Sequence, residues 1–502
     1  MRILFIQPKA VFFVRGTTYP VCRSMMVTAS YLKKLGSEVQ VFDRCIDFRN
    51  AEKVIDSFMP ETVMIYVPPT ASFEDAKKLS SYCRSKGAVV VWGEVVASAL
   101  AEQIVKNFVA DFVITGETEE KLRLLTESLS GNGGFDHIPG LTYLKDGKAV
   151  TNNNCNNANL DILPEIDWEL VDVKKCFREF PGCRKMLYLY TSRGCPFKCG
   201  YCYNTMFYNS EYRKRDISHV LNEIKYLEEN YGLDGVNFSD ELLLLTDDEI
   251  RQIQSFREKN NLKFIWGGEM RADTYKDTEI LQKMYNAGCR WALIGIETGS
   301  QKIRELINKP MSHDVIKNFI DRCTKVGIST FGSFVIGFPD ETSTELKETA
   351  DFALSLNLDA FLFNFFVAIP KTPLGNKLVE DGRINVRSLV ESETASQQLQ
   401  TLSDNYSLVP TKELFVVKSY FDWLTFTRKK KESGLKKPFM KKALDTLKHF
   451  AQGSFSDSIN NVFNAGKAFL TVVWYSHAYP DINRKYGLYN VNKKKFQIAE
   501  KR

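Results

Sequence analysis

The feature that most constrains this chain is an alternation of short β-rich runs with helix-length stretches, set twice along its length at two different pitches. In the first train, Arg2–Gln7, Val39–Asp43, Thr62–Val67, Ala88–Gly93 and Asp111–Gly116 carry Val, Ile and Phe on consecutive positions, as strands buried on both faces of a parallel sheet do. Ser24–Leu35, Ala51–Phe58, Phe73–Lys86, Ser98–Phe108 and Glu119–Leu129 have helical spacing. Five βα units predict a doubly wound α/β domain of strand order 2-1-3-4-5, which binds its ligand at the carboxyl ends of the strands. Thr70, Gly93, Glu94, Gly116 and Glu117 fall on loops at those ends.

The second train starts at Lys185, with strands predicted at Met186–Thr191, Gly235–Phe238, Lys263–Gly267, Arg290–Ile296, Thr330–Ile336 and Ala360–Ala368. Steps of roughly 25–50 residues suit a partial (β/α)6 barrel of the TIM type, whose reactive face lies at the C-terminal ends of the strands. Between the trains, Leu141–Leu144 and Ala149–Thr151 flank Asp146-Gly147, a hairpin signal, and an Asn-rich stretch follows. The chain therefore divides into residues 1–152, a linker at 153–184, a barrel at 185–380 and a helical C-terminal cap at 381–502, with helical segments at Leu389–Leu402, Lys412–Thr427 and Lys441–Ala451.

At 502 residues, 44% hydrophobic and 25% charged, the composition excludes a disordered or collagenous chain and a small disulfide-stapled module. No apolar run approaches the roughly 18 residues of a membrane span, and Gln7, Pro8 and Lys9 break the N-terminal apolar run, so a cytoplasmic protein is expected. The net charge of +6 hides an asymmetry: residues 381–502 hold 21 basic against 11 acidic side chains. Exposed helix faces account for that excess, and no nucleic-acid partner is expected.

The eleven cysteines form no regular framework. Three stand apart: Cys195, Cys199 and Cys202, a C-x3-C-x2-C run just after the first barrel strand and Thr191-Ser192-Arg193-Gly194. Soft thiolates at this spacing can hold three irons of a [4Fe–4S] cube, leaving one iron open because no fourth cysteine follows nearby. Structural zinc competes less well, since it wants four closed ligands. Core packing also fits poorly, because Gly194, Pro196 and Gly200 are loop residues.

At these residues the sequence resembles the radical S-adenosylmethionine superfamily. The resemblance implies that the open iron chelates S-adenosylmethionine and that electron transfer yields a 5′-deoxyadenosyl radical. It implies cofactor roles for Tyr201 near adenine, for Ser239 in Phe238-Ser-Asp-Glu241 near the methionine amino group, and for Arg271 on the methionine carboxylate. It further implies Glu297 in Gly295-Ile-Glu-Thr-Gly299 near the ribose or carboxylate side, and Gly337 in Gly337-Phe-Pro-Asp-Glu341 near adenine. Singly, each glycine after a strand is usually just a turn. Tyr188 and Glu241 are candidates to move a substrate proton at the barrel mouth.

A second resemblance covers the first domain. Val91-Trp-Gly-Glu94 and Ile114-Thr-Gly-Glu-Thr-Glu119 are similar to the loops of the cobalamin-binding domain that precedes many of these enzymes, implying corrin contacts at Thr70, Gly93, Glu94, Gly116 and Glu117. The family's D-x-H-x-x-G is here Asp43-Arg44-Cys45-Ile46-Asp47-Phe48, without the cobalt-ligating histidine. The two resemblances together imply a cobalamin-dependent radical enzyme, foremost a methyltransferase at an unactivated carbon of an organic substrate, served by a reductant such as flavodoxin or ferredoxin. The alternatives are a radical cyclase, dehydratase or carbon–carbon coupling enzyme, or a non-catalytic sensor.

Overall fold

The computed structural model describes residues 1–10, 22–69, 71–153, 158–391, 404–427 and 479–488. The segment Lys441–Ala451 and most of Leu389–Leu402 lie outside the described residues. Strands β1 (Arg2–Gln7), β2 (Glu38–Asp43), β3 (Thr62–Tyr66), β4 (Val89–Gly93), β5 (Phe112–Ile114), β6 (Leu141–Lys145) and β7 (Lys148–Thr151) form one sheet in the order β2-β1-β3-β4-β5-β6-β7. The first five are parallel, in the predicted order. β1 and β3 are buried almost throughout, as their unbroken apolar runs require. The hairpin turns on Asp146 and Gly147, both at positive φ, and lays β6 antiparallel on β5. Its docking on β5 has no local signal, because it depends on matching Leu141 to Ile114 across the chain.

The helices of this domain are α1 (Arg23–Lys34), α2 (Ala51–Phe58), α3 (Phe73–Ser85), α4 (Glu94–Ala99), α5 (Ala101–Lys106) and α6 (Glu119–Glu127). Asn50 and Ser72 cap α2 and α3 through side-chain acceptors. The single helix expected at Ser98–Phe108 is two short ones. Leu100 leaves helical geometry at φ −113° and buries its side chain fully in the core.

The second sheet runs β16-β15-β14-β13-β12-β9-β8. It comprises β8 (Arg178–Phe180), β9 (Cys183–Leu189), β12 (Gly235–Phe238), β13 (Ile265–Met270), β14 (Cys289–Glu297), β15 (Ser329–Ile336) and β16 (Ala360–Phe365); the minor strands β10 (Ser192–Arg193) and β11 (Arg213–Lys214) pair beside it. Six strands are parallel, a half-barrel, with β8 antiparallel at one edge. Helices return the chain between them, two of them opened by capping boxes, Thr246 with Glu249 and Thr342 with Glu345. The other edge is covered by the helix Thr411–Thr427: Phe421 stacks on Phe363 at 4.1 Å, and the Thr425 hydroxyl both accepts from the Phe361 N–H and donates to its carbonyl. An uncovered edge would invite strand addition. Among the described residues no helix is long and apolar enough to cross a membrane.

Candidate active site

The cysteine loop leaves β9 and is held by backbone. Gly194 has φ +77°, and a Cβ there would stand 1.9 Å from the Glu211 carbonyl oxygen, so only glycine fits. Asn204 accepts from the Cys195 N–H at 2.8 Å and donates to the carbonyls of Cys195 and Phe197. The Gly200 N–H bonds to the Ile307 carbonyl, and the Leu374 N–H to that of Gly200. Burial pushes the thiol of Cys202 up to about 12, with Cys199 and Cys195 adding to it, while Arg271 and Lys309 oppose the same effect at Cys195 and Cys199. Among the described residues no three His, Cys, Asp or Glu side chains converge on a single ion position. Ligands of a cube sit on separate irons and stand wider than the ligands of one ion, so this set of three mutually sensing thiols suits a [4Fe–4S] cluster.

Around the loop, the Tyr201 ring meets Phe338 edge-on at 5.6 Å. Glu297 ends β14 at φ +65° and pairs with Lys309 at 2.7 Å, both side chains buried. A Cβ on Gly295 would stand 2.7 Å from that carboxylate, which explains the glycine. Arg271 lies 3.6 Å above the Phe197 ring and binds Asp273 through Nε and Nη2. The Ser239 N–H and hydroxyl both donate to the Leu189 carbonyl. Gly337 has φ +82°, and its N–H donates to Glu341 at 2.5 Å. Arg271, Lys309 and Glu297 bring charge, and Tyr201 and Phe197 aromatic faces, to the surroundings of the cysteine loop.

Between the two sheets lies a chamber of about 340 Å³. Gln7, Arg23 and Glu94 line it from the first domain, and Tyr188, Ser239 and Glu241 from the barrel. Glu241 accepts from the Gly194 N–H at 2.9 Å and from the Tyr203 hydroxyl at 3.3 Å. Glu94 has φ +81°, accepts from the Ser24 hydroxyl, and is raised above the usual carboxylate range by burial. Tyr188 accepts a hydrogen bond from Arg178 at 3.1 Å.

The first-domain loops carry contacts of their own at the residues singled out in the sequence. A Cβ on Gly93 would meet the Met64 methyl at 2.3 Å and Thr118 at 3.0 Å, so a side chain there would need the flexible Met64 end to shift. The Gly116 N–H is used by Ser98. The Glu117 oxygens accept from Arg193, Arg213 and the Ala158 N–H. Burial alone would raise the Glu117 carboxyl, yet the two guanidiniums hold it down at about 2. Thr70 lies outside the described residues. Gln7, at the end of β1, lines the chamber, and its buried amide oxygen has no hydrogen-bond partner among the described residues.

Several participants carry no motif. Lys309 is the counter-ion of Glu297, yet Asn308-Lys309-Pro310 reads as a turn. Asp240 accepts from the N–H groups of Thr191 and Ser192, bracing the start of the cysteine loop. Arg193 binds Glu117 and Glu119 across the domain boundary. The surplus of carboxylates in Gly116-Glu-Thr-Glu119 was the one available hint of a cationic partner.

Residues 189–353 match the Radical SAM superfamily. An uncharacterised methyltransferase of Pyrococcus horikoshii is 27% identical over 384 residues, covering 74% of this chain and 82% of its own. The anaerobic magnesium-protoporphyrin IX monomethyl ester cyclase of Cereibacter sphaeroides is 25% identical, with 75% and 64% covered. Among solved structures, the radical S-adenosylmethionine methyltransferase TsrM of Kitasatospora setae, with cobalamin and a [4Fe–4S] cluster bound, superposes with a TM-score of 0.63 at 18% identity, covering 76% of this chain and 75% of that one. Residues 189–353 are thus the segment of this chain that the Radical SAM superfamily matches, and the cysteine loop at the end of the first barrel strand lies within it.

Proposed function

We propose that this protein is a cobalamin-dependent radical enzyme that methylates an unactivated carbon of an organic substrate. The observation that carries the reading is the shared chamber: the cysteine loop, through Tyr203, and the first-domain strand ends, through Gln7 and Glu94, open on one space. Cys195, Cys199 and Cys202 would hold the cluster. Tyr201, Ser239, Arg271, Glu297 and Gly337 would hold S-adenosylmethionine, and Gly93, Glu94 and Gly116 would border cobalamin. When bound, these groups supply the electron, the radical and the methyl carrier. The chain's own part is positional. Gly194 and Asn204 fix the loop, the Lys309–Glu297 pair sets charge beside it, and Glu241 with Tyr188 holds or moves a proton at the chamber wall. The free thiols and the oxygen-sensitive cluster suit a reducing cytoplasm and a flavodoxin or ferredoxin donor.

The cyclase relative favours a second reading, ring closure without methyl transfer. Anaerobically reconstituted protein, incubated with reductant, S-adenosylmethionine and hydroxocobalamin, distinguishes them. Methyl transfer requires corrinoid uptake and release of both 5′-deoxyadenosine and S-adenosylhomocysteine. Release of 5′-deoxyadenosine alone, without uptake, favours the cyclase.

A further inference from the structure

The segment that lacks the histidine has another arrangement. Gln7 and Asp43 end the adjacent parallel strands β1 and β2 and face each other in register. Both are nearly inaccessible, 6% and 2% exposed, and among the described residues each keeps one buried oxygen with no hydrogen-bond partner: Gln7 Oε1 and Asp43 Oδ2. Their other atoms are committed. Gln7 Nε2 donates to Cys45 Sγ at 3.8 Å, and Asp43 Oδ1 accepts from the Cys45 N–H at 2.9 Å. The remaining oxygens sit where a doubly wound fold receives its ligand, and Gln7 lines the interdomain chamber. A buried acceptor left unpaired costs about 1–3 kcal/mol, so such an atom calls for a donor.

Resting on the cobalamin reading above, we propose that Gln7, backed by Asp43, accepts an N–H from a corrin side-chain carboxamide, so that this corner recognises the rim of the ring in a chain without a cobalt-ligating histidine. The corrin carries primary carboxamides around its edge, and each offers two N–H donors. A carboxamide oxygen and a carboxylate oxygen side by side select a donor and repel an ester or carboxylate group at the same place. Cys45 then serves as a spacer that fixes the Gln7 amide through its nitrogen.

The test uses the full chain with its cluster reconstituted, and measures the dissociation constants of two probes by equilibrium dialysis. One is cobinamide, which carries the carboxamides. The other is heptamethyl cobyrinate, the ester counterpart without side-chain N–H groups. Gln7→Leu is expected to weaken cobinamide about tenfold, the loss of one hydrogen bond from a desolvated acceptor, while leaving the ester within about twofold. Gln7→Glu, which keeps an acceptor there, is expected to retain cobinamide binding. Asp43→Asn, which keeps one oxygen for the Cys45 N–H, should fall between these. Unchanged dissociation constants in Gln7→Leu, or equal losses for both probes, overturn the proposal while leaving cobalamin binding standing. No uptake of either probe by the wild type overturns both. Cluster absorbance and the thermal transition are recorded for every variant, so that a Gln7→Leu protein that fails to fold is replaced by Gln7→Met in the same comparison.

Discussion

Glu341 shows how a single buried side chain can make stability depend on pH. It is fully buried, one oxygen accepts from the Gly337 and Phe338 N–H groups, and the other has no partner among the described residues. Burial raises its carboxyl to about 8. An acid whose folded-state value lies above its unfolded one binds the extra proton in the folded state. Its stabilising contribution is therefore present at low pH and lost as pH rises from about 4.5 toward 8, with a slope of order 1 kcal/mol per pH unit. Glu341→Gln keeps the acceptor for both N–H groups and has no proton to lose. Its melting temperature should fall less steeply than that of the wild type across that interval, as read by calorimetry at several pH values, and equal slopes would refute the assignment. At the same scale, replacing Cys195, Cys199 and Cys202 together by Ala is expected to remove the broad visible charge-transfer absorbance of the reconstituted protein. Full cluster content in that variant would count against the site.

At the scale of elements, the cysteine loop depends on its frame as much as on its thiols. Gly194→Ala places a Cβ against the Glu211 carbonyl at a left-handed residue, so the loop must move. The expected result is a folded protein with much reduced iron content after reconstitution; undiminished iron would show that the loop tolerates the shift. The elements themselves were largely legible. Runs such as Ile3–Ile6 and Val63–Ile65 are unbroken by polar residues, and Asp146-Gly147 named its turn. The break at Leu100 was not, because no Pro or Gly marks it and the cause is burial of that one side chain. The cysteines could be read from spacing alone. Lys309 and Asp240 could not, since a counter-ion is chosen by where two strand ends meet, and no local pattern records that. Gly93 was read from its place after a strand, and its approach to Met64 of the neighbouring strand carries no signal in the local sequence.

Across the whole molecule, two domains are joined by charge buried at their seam. Arg193 and Arg213 from the barrel meet Glu117 and Glu119 from the first domain, with exposures from 1% to 14%. Removing one member of such a buried set leaves an uncompensated charge and costs about 3–5 kcal/mol. Glu117→Ala should lower the urea midpoint accordingly, and the loss should be far from additive with Arg213→Ala, because the two share a partner. Additive losses would mean that the contact contributes little to joining the domains. A second tie runs from Lys371 to the carbonyl of Ser98 at 2.8 Å. A buried ion set is screened little by salt. For the corrin proposed above, a seam so tied makes release a matter of breaking buried charge, so exchange of the bound cofactor should be slow and indifferent to ionic strength.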